Sequence, residues 1–345
     1  MRILILGASY GSLLSTKLLM AGHNVTLVCR QEEADLINKD GTHVRIKLKD
    51  ESDHRTISSK DLAGTLDATT PDKADPSAYD LVGLAMQEPQ YAAPEVKALL
   101  TKIGTSGKPC LSIMNMPPLP FLRRIGKLKD VELAECYRDS SVWDAFNPDM
   151  VSLCSPDPQA FRPPEEEANV LHVGLPTNFK ASAFADAKHT ALLKQLEDDI
   201  AAVRLDGKDV PVKLRVHDSL FVPMAKWAML MCGNYRCIGA DGIRSIHDAV
   251  YSDEAASKSV YDWVGDLTQK LGASASDQVP YEKYAAAAKQ LLKPSSVARA
   301  IDAGAPHVER VDKLVAKIGK HIGMENQDLS TIASTVDKRL EANRK

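Results

Sequence analysis

The chain lacks every cysteine spacing that would announce a redox or metal centre. Its six cysteines, Cys29, Cys110, Cys136, Cys154, Cys232 and Cys237, form no C-x-x-C pair and no zinc-ligand pattern, so they read as reduced, structural thiols and no metal is expected. No apolar run is long enough to span a bilayer, and the opening Met1-Arg2-Ile3-Leu4-Ile5-Leu6-Gly7 falls far short of a signal-peptide core. No membrane partner is expected, and a cytoplasmic location is the default. Excess charge of one sign is missing too. With 43 Lys and Arg against 46 Asp and Glu the formal net charge is -3, and the signs are mixed along the chain, which argues against a nucleic-acid partner. There is no internal repeat and no low-complexity tract. What remains, at 345 residues with 44% hydrophobic and 26% charged, is an ordinary soluble composition with room for two domains and a large core.

What is present is concentrated in the first thirty residues. Ile3 to Leu6 form a short continuous apolar run ending at Gly7, the pattern of a parallel strand buried on both faces. Apolar residues then recur at helical spacing through Leu14, Leu18 and Ala21 to a stop at Gly22, and Val25, Leu27 and Val28 give a second strand. This is a βαβ unit. Between its first strand and its helix lies Gly7-Ala8-Ser9-Tyr10-Gly11-Ser12. Read as a dinucleotide fingerprint, Gly7 makes the tight turn, Ser9 and Tyr10 follow as phosphate neighbours at the helix N-terminus, and Gly11 allows close packing of helix on strand. Ser9 stands where the fingerprint has glycine, and its hydroxyl is free to hydrogen-bond a phosphate. The loop is one residue shorter than usual.

The same residues spell G-x-S-x-G, the nucleophile elbow of α/β-hydrolases. Such an elbow follows several earlier strands, one of whose loops supplies an oxyanion-hole N–H, and only eight residues precede Ser9. The elbow reading fails on position. The end of the second strand then selects the cofactor. An NAD site places Asp or Glu there for the ribose hydroxyls, whereas this strand ends at Cys29-Arg30 and continues with Gln31. Arg30 favours a 2′-phosphate and hence NADP(H). The alternative is a solvated Arg30 with Glu32 or Glu33 reaching the ribose.

Further along, Gln31 to Asp40 is polar, His43 to Lys49 alternates like a strand, and residues 50 to 78 show no assignable pattern. A buried strand is expected over Asp80 to Met86, a helix over Pro94 to Ile103, and a strand over Cys110 to Asn115. Gly126 to about Ala168 mixes apolar residues with Pro-rich loops; Val170 to Val173 reads as a strand and Ala183 to Val203 as a helix. From His217 onward no strand pattern recurs, and helices are expected over Asp253 to Leu271, Tyr281 to Leu292, His307 to Ile322 and Asn326 to Asn343. The fold class is an α/β N-terminal doubly wound parallel sheet, Rossmann-like, followed by an all-α C-terminal domain. The expected domains are 1-210, which binds a dinucleotide, and 211-345, which serves substrate and dimerisation. Ligands of such a sheet gather at the carboxyl ends of its strands, where Asn115 stands.

Lys226 is the most informative residue of the second half. It lies in the apolar stretch from Phe221 to Cys232, where a charge is unexpected, and desolvation there would tune it as a proton donor to a carbonyl oxygen. The plain alternative is a lysine snorkelling to solvent. Asn234, two turns later on the same helix, adds a second polar group.

At this point the chain resembles the ketopantoate reductase family, NADPH-dependent reductases of 2-dehydropantoate and related 2-oxo acids. The first thirty residues, including Ala21-Gly22-His23 and the Arg30 ending, are similar to that family's opening. The segment of Lys226 and Asn234 resembles its catalytic-lysine helix, and Lys293-Pro294-Ser295-Ser296 followed by Glu309-Arg310-Val311-Asp312 resembles its Ser-Ser and Thr-Glu-Ile-Asp segments. The resemblance implies Lys226 as general acid, Glu309 as the acidic residue that binds substrate and positions the lysine, Ser296 and Asn234 as substrate contacts, Asn115 beside the nicotinamide, and a homodimer through the helical domain. Taken alone, Glu309 also reads as a solvated helix-start carboxylate, and Ser296 as the N-cap of a helix beginning at Val297.

The departures are as specific. Leu230 stands where the family has a substrate-binding asparagine, Met116 replaces a glycine after Asn115, and Ala85 stands where some members have a lysine that grips the 2′-phosphate. Aligned on Val311-Asp312, the family's acidic position falls on Arg310, with Glu309 one residue early. A pocket that exchanges an amide for an isobutyl group favours a more apolar substrate than ketopantoate. The leading expectation is an NADPH-dependent reductase of a small 2-oxo acid. The alternatives are an opine-type dehydrogenase, which joins an amino acid to the oxo acid, and a non-catalytic NADP(H)-binding regulatory protein.

Overall fold

A computed structural model describes residues 1–345 and divides them into two compact units. The first comprises Met1–Met86, Gln90–Phe121 and Ser141–Asp218; the second comprises Gln87–Pro89, Leu122–Ser140 and Ser219–Lys345.

The first unit is built on strands β1 (Arg2–Leu6), β2 (Asn24–Val28), β3 (His43–Lys47), β4 (His54–Ser58), β5 (Leu66–Thr69), β6 (Leu81–Leu84) and β7 (Cys110–Ile113). These continue with β8 (Val151–Ser155), β9 (Gln159–Phe161), β10 (Val170–Leu175), β11 (Phe179–Ser182), β12 (Arg204–Leu205), β13 (Lys208–Asp209) and β14 (Leu214–His217). Eight of them form the main sheet in the order β14-β11-β8-β7-β6-β1-β2-β5. Its pairs are parallel except β8 with β11. The central strands are apolar on both faces, as a sheet covered on both sides requires. Between β1 and β2 runs helix α1 (Tyr10–Met20), which packs on the sheet and on the helix Ala187–Ala202.

Burial of α1 all round explains its unusual interior. Ser15 and Thr16 return their hydroxyls to the carbonyls four residues back, at 2.6 and 2.9 Å, which satisfies them without a solvent face. Lys17 is 1% exposed and donates to the Val210 carbonyl at 3.1 Å. The helix stops where the sequence says it should: Gly22 takes a φ of +82°, and its N–H and that of His23 close on the carbonyls of Leu19 and Leu18 at 3.0 Å each.

Several elements of this unit differ from the sequence reading. Gln31–Asp40 is a helix, α2, starting directly after Arg30. Residues 50 to 78 supply two strands: β4, whose side chains are mostly exposed, and β5, a four-residue edge strand carrying Asp67. Exposure removes the apolar alternation on which a strand is read from sequence. β4 belongs to a second sheet ordered β4-β3-β10-β9, and β11 and β14, short and mixed in polarity, extend the main sheet.

The second unit is helical apart from one bridge between Ile238 and Ile243. Its helices are Ile246–Tyr251, Glu254–Leu271, Tyr281–Ala288, Ser296–Asp302, Val311–His321 and Gln327–Asn343. At its centre, the segment Pro223–Cys237 winds as one rod through a 3-10 turn, an α-turn from Lys226, a π-turn over Leu230–Asn234 and a final 3-10 turn. Gly233 in the π-turn is obligatory, because a Cβ there would lie 1.9 Å from the Tyr284 hydroxyl. No helix is long and apolar enough to cross a membrane. All six cysteines are free and buried, and burial pushes the Cys29, Cys110 and Cys136 thiols up to about 12, which leaves them unreactive.

Candidate functional site

In the first unit the glycine loop stands at the carboxyl end of β1. Gly7 has a φ of +97°, and a Cβ on it would lie 2.7 Å from the Ala85 carbonyl oxygen and 2.8 Å from Met86 Cγ. Only glycine makes this turn. A Cβ on Gly11 would meet Ile5 Cγ2 at 2.9 Å and Leu27 Cδ2 at 3.3 Å, so its absence lets α1 press onto β1 and β2. Ser9 is the residue before the helix, yet its side chain does not cap it. Ser9 and Tyr10 are half-buried at the turn, with the Ser9 hydroxyl left to other acceptors and donors.

Arg30 follows the end of β2, exposed, and pairs with no carboxylate of the chain. Of the acids that could take its place at a ribose, Glu33 is held in an ion pair by Arg162. Glu32 is exposed on the first turn of α2. Asn115 lies just beyond β7, half-buried, at the same carboxyl edge of the sheet as Gly7. The closed turn at Gly7, the uncapped helix start and the unpaired cation at the second strand's end suit a phosphate-bearing dinucleotide.

In the second unit the rod Pro223–Cys237 organises the other candidates. Lys226 is half-buried between the buried Ala225 and Trp227. The π-turn has a geometric effect on Asn234. It takes up about one more residue than an α-turn, so the interval from Lys226 to Asn234 closes on about two full turns and returns Asn234 to the lysine's side of the rod. A regular α-helix would carry it further round.

Two loops are tied to the same rod. The Tyr235 hydroxyl donates to the Glu309 carbonyl at 2.5 Å and accepts from the Val311 N–H at 3.1 Å, which fixes the backbone on both sides of Arg310. The Ser295 hydroxyl donates to the Asn234 carbonyl at 2.7 Å and accepts from the Ala298 N–H at 3.2 Å. Ser295, not Ser296, is therefore the N-cap, and the helix begins at Ser296 rather than at Val297. Ser295 is buried, whereas Ser296 is exposed.

The ambiguous register at 309 and 310 has a physical resolution. Arg310 is turned into the protein, where its guanidinium binds the fully buried Asp312 at 2.9 to 3.3 Å and also reaches Asp337. That network locks the helices Val311–His321 and Gln327–Asn343 together. Glu309 is half-buried, and its Oε1 accepts the N–H of Glu88 at 3.3 Å.

Glu88 is a candidate that sequence reasoning missed. It is 2% exposed, its carboxylate accepts the Arg138 N–H at 2.9 Å, and burial, with the charge of Glu309 added, pushes its pKa up to about 7. Nothing in Gln87-Glu88-Pro89 distinguishes this glutamate from a loop carboxylate. Tyr235 had a signal: a tyrosine in an apolar helix needs a partner for its hydroxyl.

No protein-family model matches this chain. Among solved structures, a 2-dehydropantoate 2-reductase from Methylococcus capsulatus aligns with a TM-score of 0.70 at 13% identity, covering 100% of this chain and 98% of that one. D-mandelate dehydrogenase, solved with NADH and anilino(oxo)acetate, aligns with a TM-score of 0.68 at 14% identity over 100% and 99% of the two chains. A dimeric ketopantoate reductase from Staphylococcus aureus aligns with a TM-score of 0.61 at 10% identity over 99% and 100%. The fold is thus the one these proteins share, from end to end, and the resemblance read from the sequence is met in three dimensions.

Proposed function

We propose that this chain is an NADPH-dependent reductase of a small 2-oxo acid, with Lys226 as its general acid. The observation that carries the reading is the tethering of Glu309 and Ser295 to the rod that bears Lys226, through Tyr235 and the Asn234 carbonyl. Three segments far apart in sequence are thereby joined on the one rod that also bears Lys226, within a fold shared with a 2-dehydropantoate 2-reductase.

NADPH, when bound, would supply the hydride that reduces the ketone carbon. The chain's own residues do the rest. The glycine loop at Gly7, Ser9, Tyr10 and Gly11 would hold the pyrophosphate, and Arg30 would hold the 2′-phosphate. Asn115, just beyond β7, would border the nicotinamide. Lys226 delivers its proton to the carbonyl oxygen as the alkoxide develops, which removes the charge that would otherwise build up there. Asn234 and Ser296 hold the substrate carboxylate, and Glu309 keeps the ammonium in place. Leu230, buried on the π-turn, brings an isobutyl group where the resembled family has a substrate-binding asparagine, and loss of that amide favours an unhydroxylated side chain over that of ketopantoate. The dimeric state of the Staphylococcus aureus neighbour supports a homodimer through the helical unit here as well.

The test is a titration of NADPH fluorescence followed by a panel of 2-oxo acids, each with and without added amino acids. Oxidation of NADPH by a 2-oxo acid alone is the expected result. Turnover only with an amino acid present would convert the reading to an opine-type enzyme, and tight binding with no turnover across the panel would make the chain a nucleotide-responsive binding protein.

A further inference from the structure

The carboxyl ends of β2 and β5 lie side by side. The strands are parallel with Val28 opposite Thr69, and the Cys29 N–H continues the ladder to the Thr69 carbonyl at 3.0 Å. The residues that follow each strand therefore share one edge of the sheet. After β2 comes Arg30; after β5 comes the turn Thr70 to Lys73, closed by the Lys73 N–H on the Thr70 carbonyl at 3.2 Å. From that turn the Lys73 ammonium reaches back to Gln31 Oε1 at 3.1 Å, which brings it to the residue next to Arg30.

Two exposed cations thus stand at one edge, and neither forms an ion pair with a carboxylate, although the Asp72 charge acts on Lys73 through space. Asp35 accepts from Gln31 Nε2 at 2.7 Å, Asp72 accepts from the Thr70 hydroxyl at 2.5 Å, and Glu33 is paired with Arg162. Glu32 remains, exposed at the start of α2. Lys73 is bonded to a neutral amide oxygen, and Arg30 to no carboxylate. A cation held by a neutral acceptor exchanges it for an anionic one at a gain, since a phosphate adds the attraction of opposite full charges that an amide oxygen lacks.

We infer that Lys73 is a second phosphate-binding residue, which with Arg30 clamps the 2′-phosphate of NADP(H) and sets the preference over NAD(H). The inference rests on reading the chain as an NADP(H) protein but not on Lys226 or the substrate. Gln31 is the resting acceptor that keeps the lysine poised across the edge when no phosphate is bound. The clamp is supplied by the loop of the edge strand β5, so its two halves belong to neighbouring strands.

The experiment measures dissociation constants for NADPH, NADH and adenosine 2′-monophosphate with the full chain, the Lys73→Ala, Lys73→Arg and Arg30→Ala variants, and no substrate. Lys73→Ala is expected to weaken NADPH and adenosine 2′-monophosphate by roughly tenfold or more while leaving NADH within about twofold, and Lys73→Arg should retain the preference. Lys73 is exposed, so loss of folding will not mask the result. If Lys73→Ala changes neither cofactor while Arg30→Ala selectively weakens NADPH, the clamp is wrong and the cofactor assignment stands. If the unaltered chain binds NADH as tightly as NADPH, and Arg30→Ala weakens both equally, the cofactor assignment falls and the clamp with it.

Discussion

At the scale of single residues, the proposed chemistry asks one ammonium to give up a proton at the moment negative charge forms. Removing it should therefore touch the transition state and little else. Lys226→Ala is expected to lower kcat by roughly 10²–10⁴-fold, the usual yield of general acid catalysis, with the NADPH dissociation constant nearly unchanged. A folded Lys226→Ala variant with full activity on a 2-oxo acid that the unaltered chain reduces would end the mechanism. Ser9 gives a second test at this scale. Its hydroxyl does not cap α1, so Ser9→Gly removes no internal bond and restores the closest backbone approach to a pyrophosphate. NADPH binding should be kept or improved, as read by fluorescence titration. Covalent labelling of Ser9 by a fluorophosphonate would instead revive a hydrolase.

At the scale of elements, the rod Pro223–Cys237 is where sequence and structure part company most instructively. Its apolar character and its lysine are legible in the sequence, because a charge in a buried helix breaks the pattern around it. Its π-turn is not, since no residue type in Leu230–Asn234 marks it, and the need for glycine at 233 comes from Tyr284 on the separate helix Tyr281–Ala288. The same division runs through the molecule. The βαβ opening is legible because β1, α1 and β2 are buried and contiguous. The strands β4, β5, β11 and β14 are not, because each is short, exposed or at an edge, and only distant partners make it a strand. Of the site, Gly7, Gly11 and Lys226 announce themselves by residue type, whereas Glu88 and Ser295 acquire their places only through the fold.

Tyr235 puts the rod's organising role to the test. Its hydroxyl satisfies the Glu309 carbonyl and the Val311 N–H together, so Tyr235→Phe leaves both groups without that partner. A loss of about 1–3 kcal/mol in urea unfolding is expected. If Glu309 positions Lys226, kcat should fall more than this variant's NADPH affinity does. A variant as stable as the unaltered chain would show that the tether is not needed.

At the scale of the whole molecule, two buried ionisable groups, one in each compact unit, set opposite trends of stability with pH. In the first, burial, with the charges of Lys213 and Arg204 added and that of Asp209 opposed, brings Lys17 from 10.5 down to about 7. The unfolded chain then holds the proton that the folded chain has lost, so the stability Lys17 allows is complete above 10.5 and is lost as pH falls through about 7. In the second, Glu88 is raised from 4.5 to about 7 by burial, with Glu309 and Asp139 adding to the rise while the Arg138 N–H and the Arg138 charge oppose it. Its contribution is complete below 4.5 and is lost as pH rises through about 7. Each limb is on the order of a few kcal/mol, because a tenfold change in proton affinity between folded and unfolded chains is worth about 1.4 kcal/mol. Denaturant unfolding followed across this range should accordingly show stability contributed by these groups falling from acid to neutral pH and recovering toward alkaline pH. The two variants separate the limbs. Lys17→Met should flatten the alkaline rise and stabilise the chain near neutrality, because the desolvated ammonium costs more than the bond to the Val210 carbonyl returns. Glu88→Gln should flatten the acid limb and leave the alkaline one intact. An alkaline rise of unchanged slope in Lys17→Met would mean that Lys17 keeps its proton inside the fold, and the assignment of that limb to α1 would have to be abandoned.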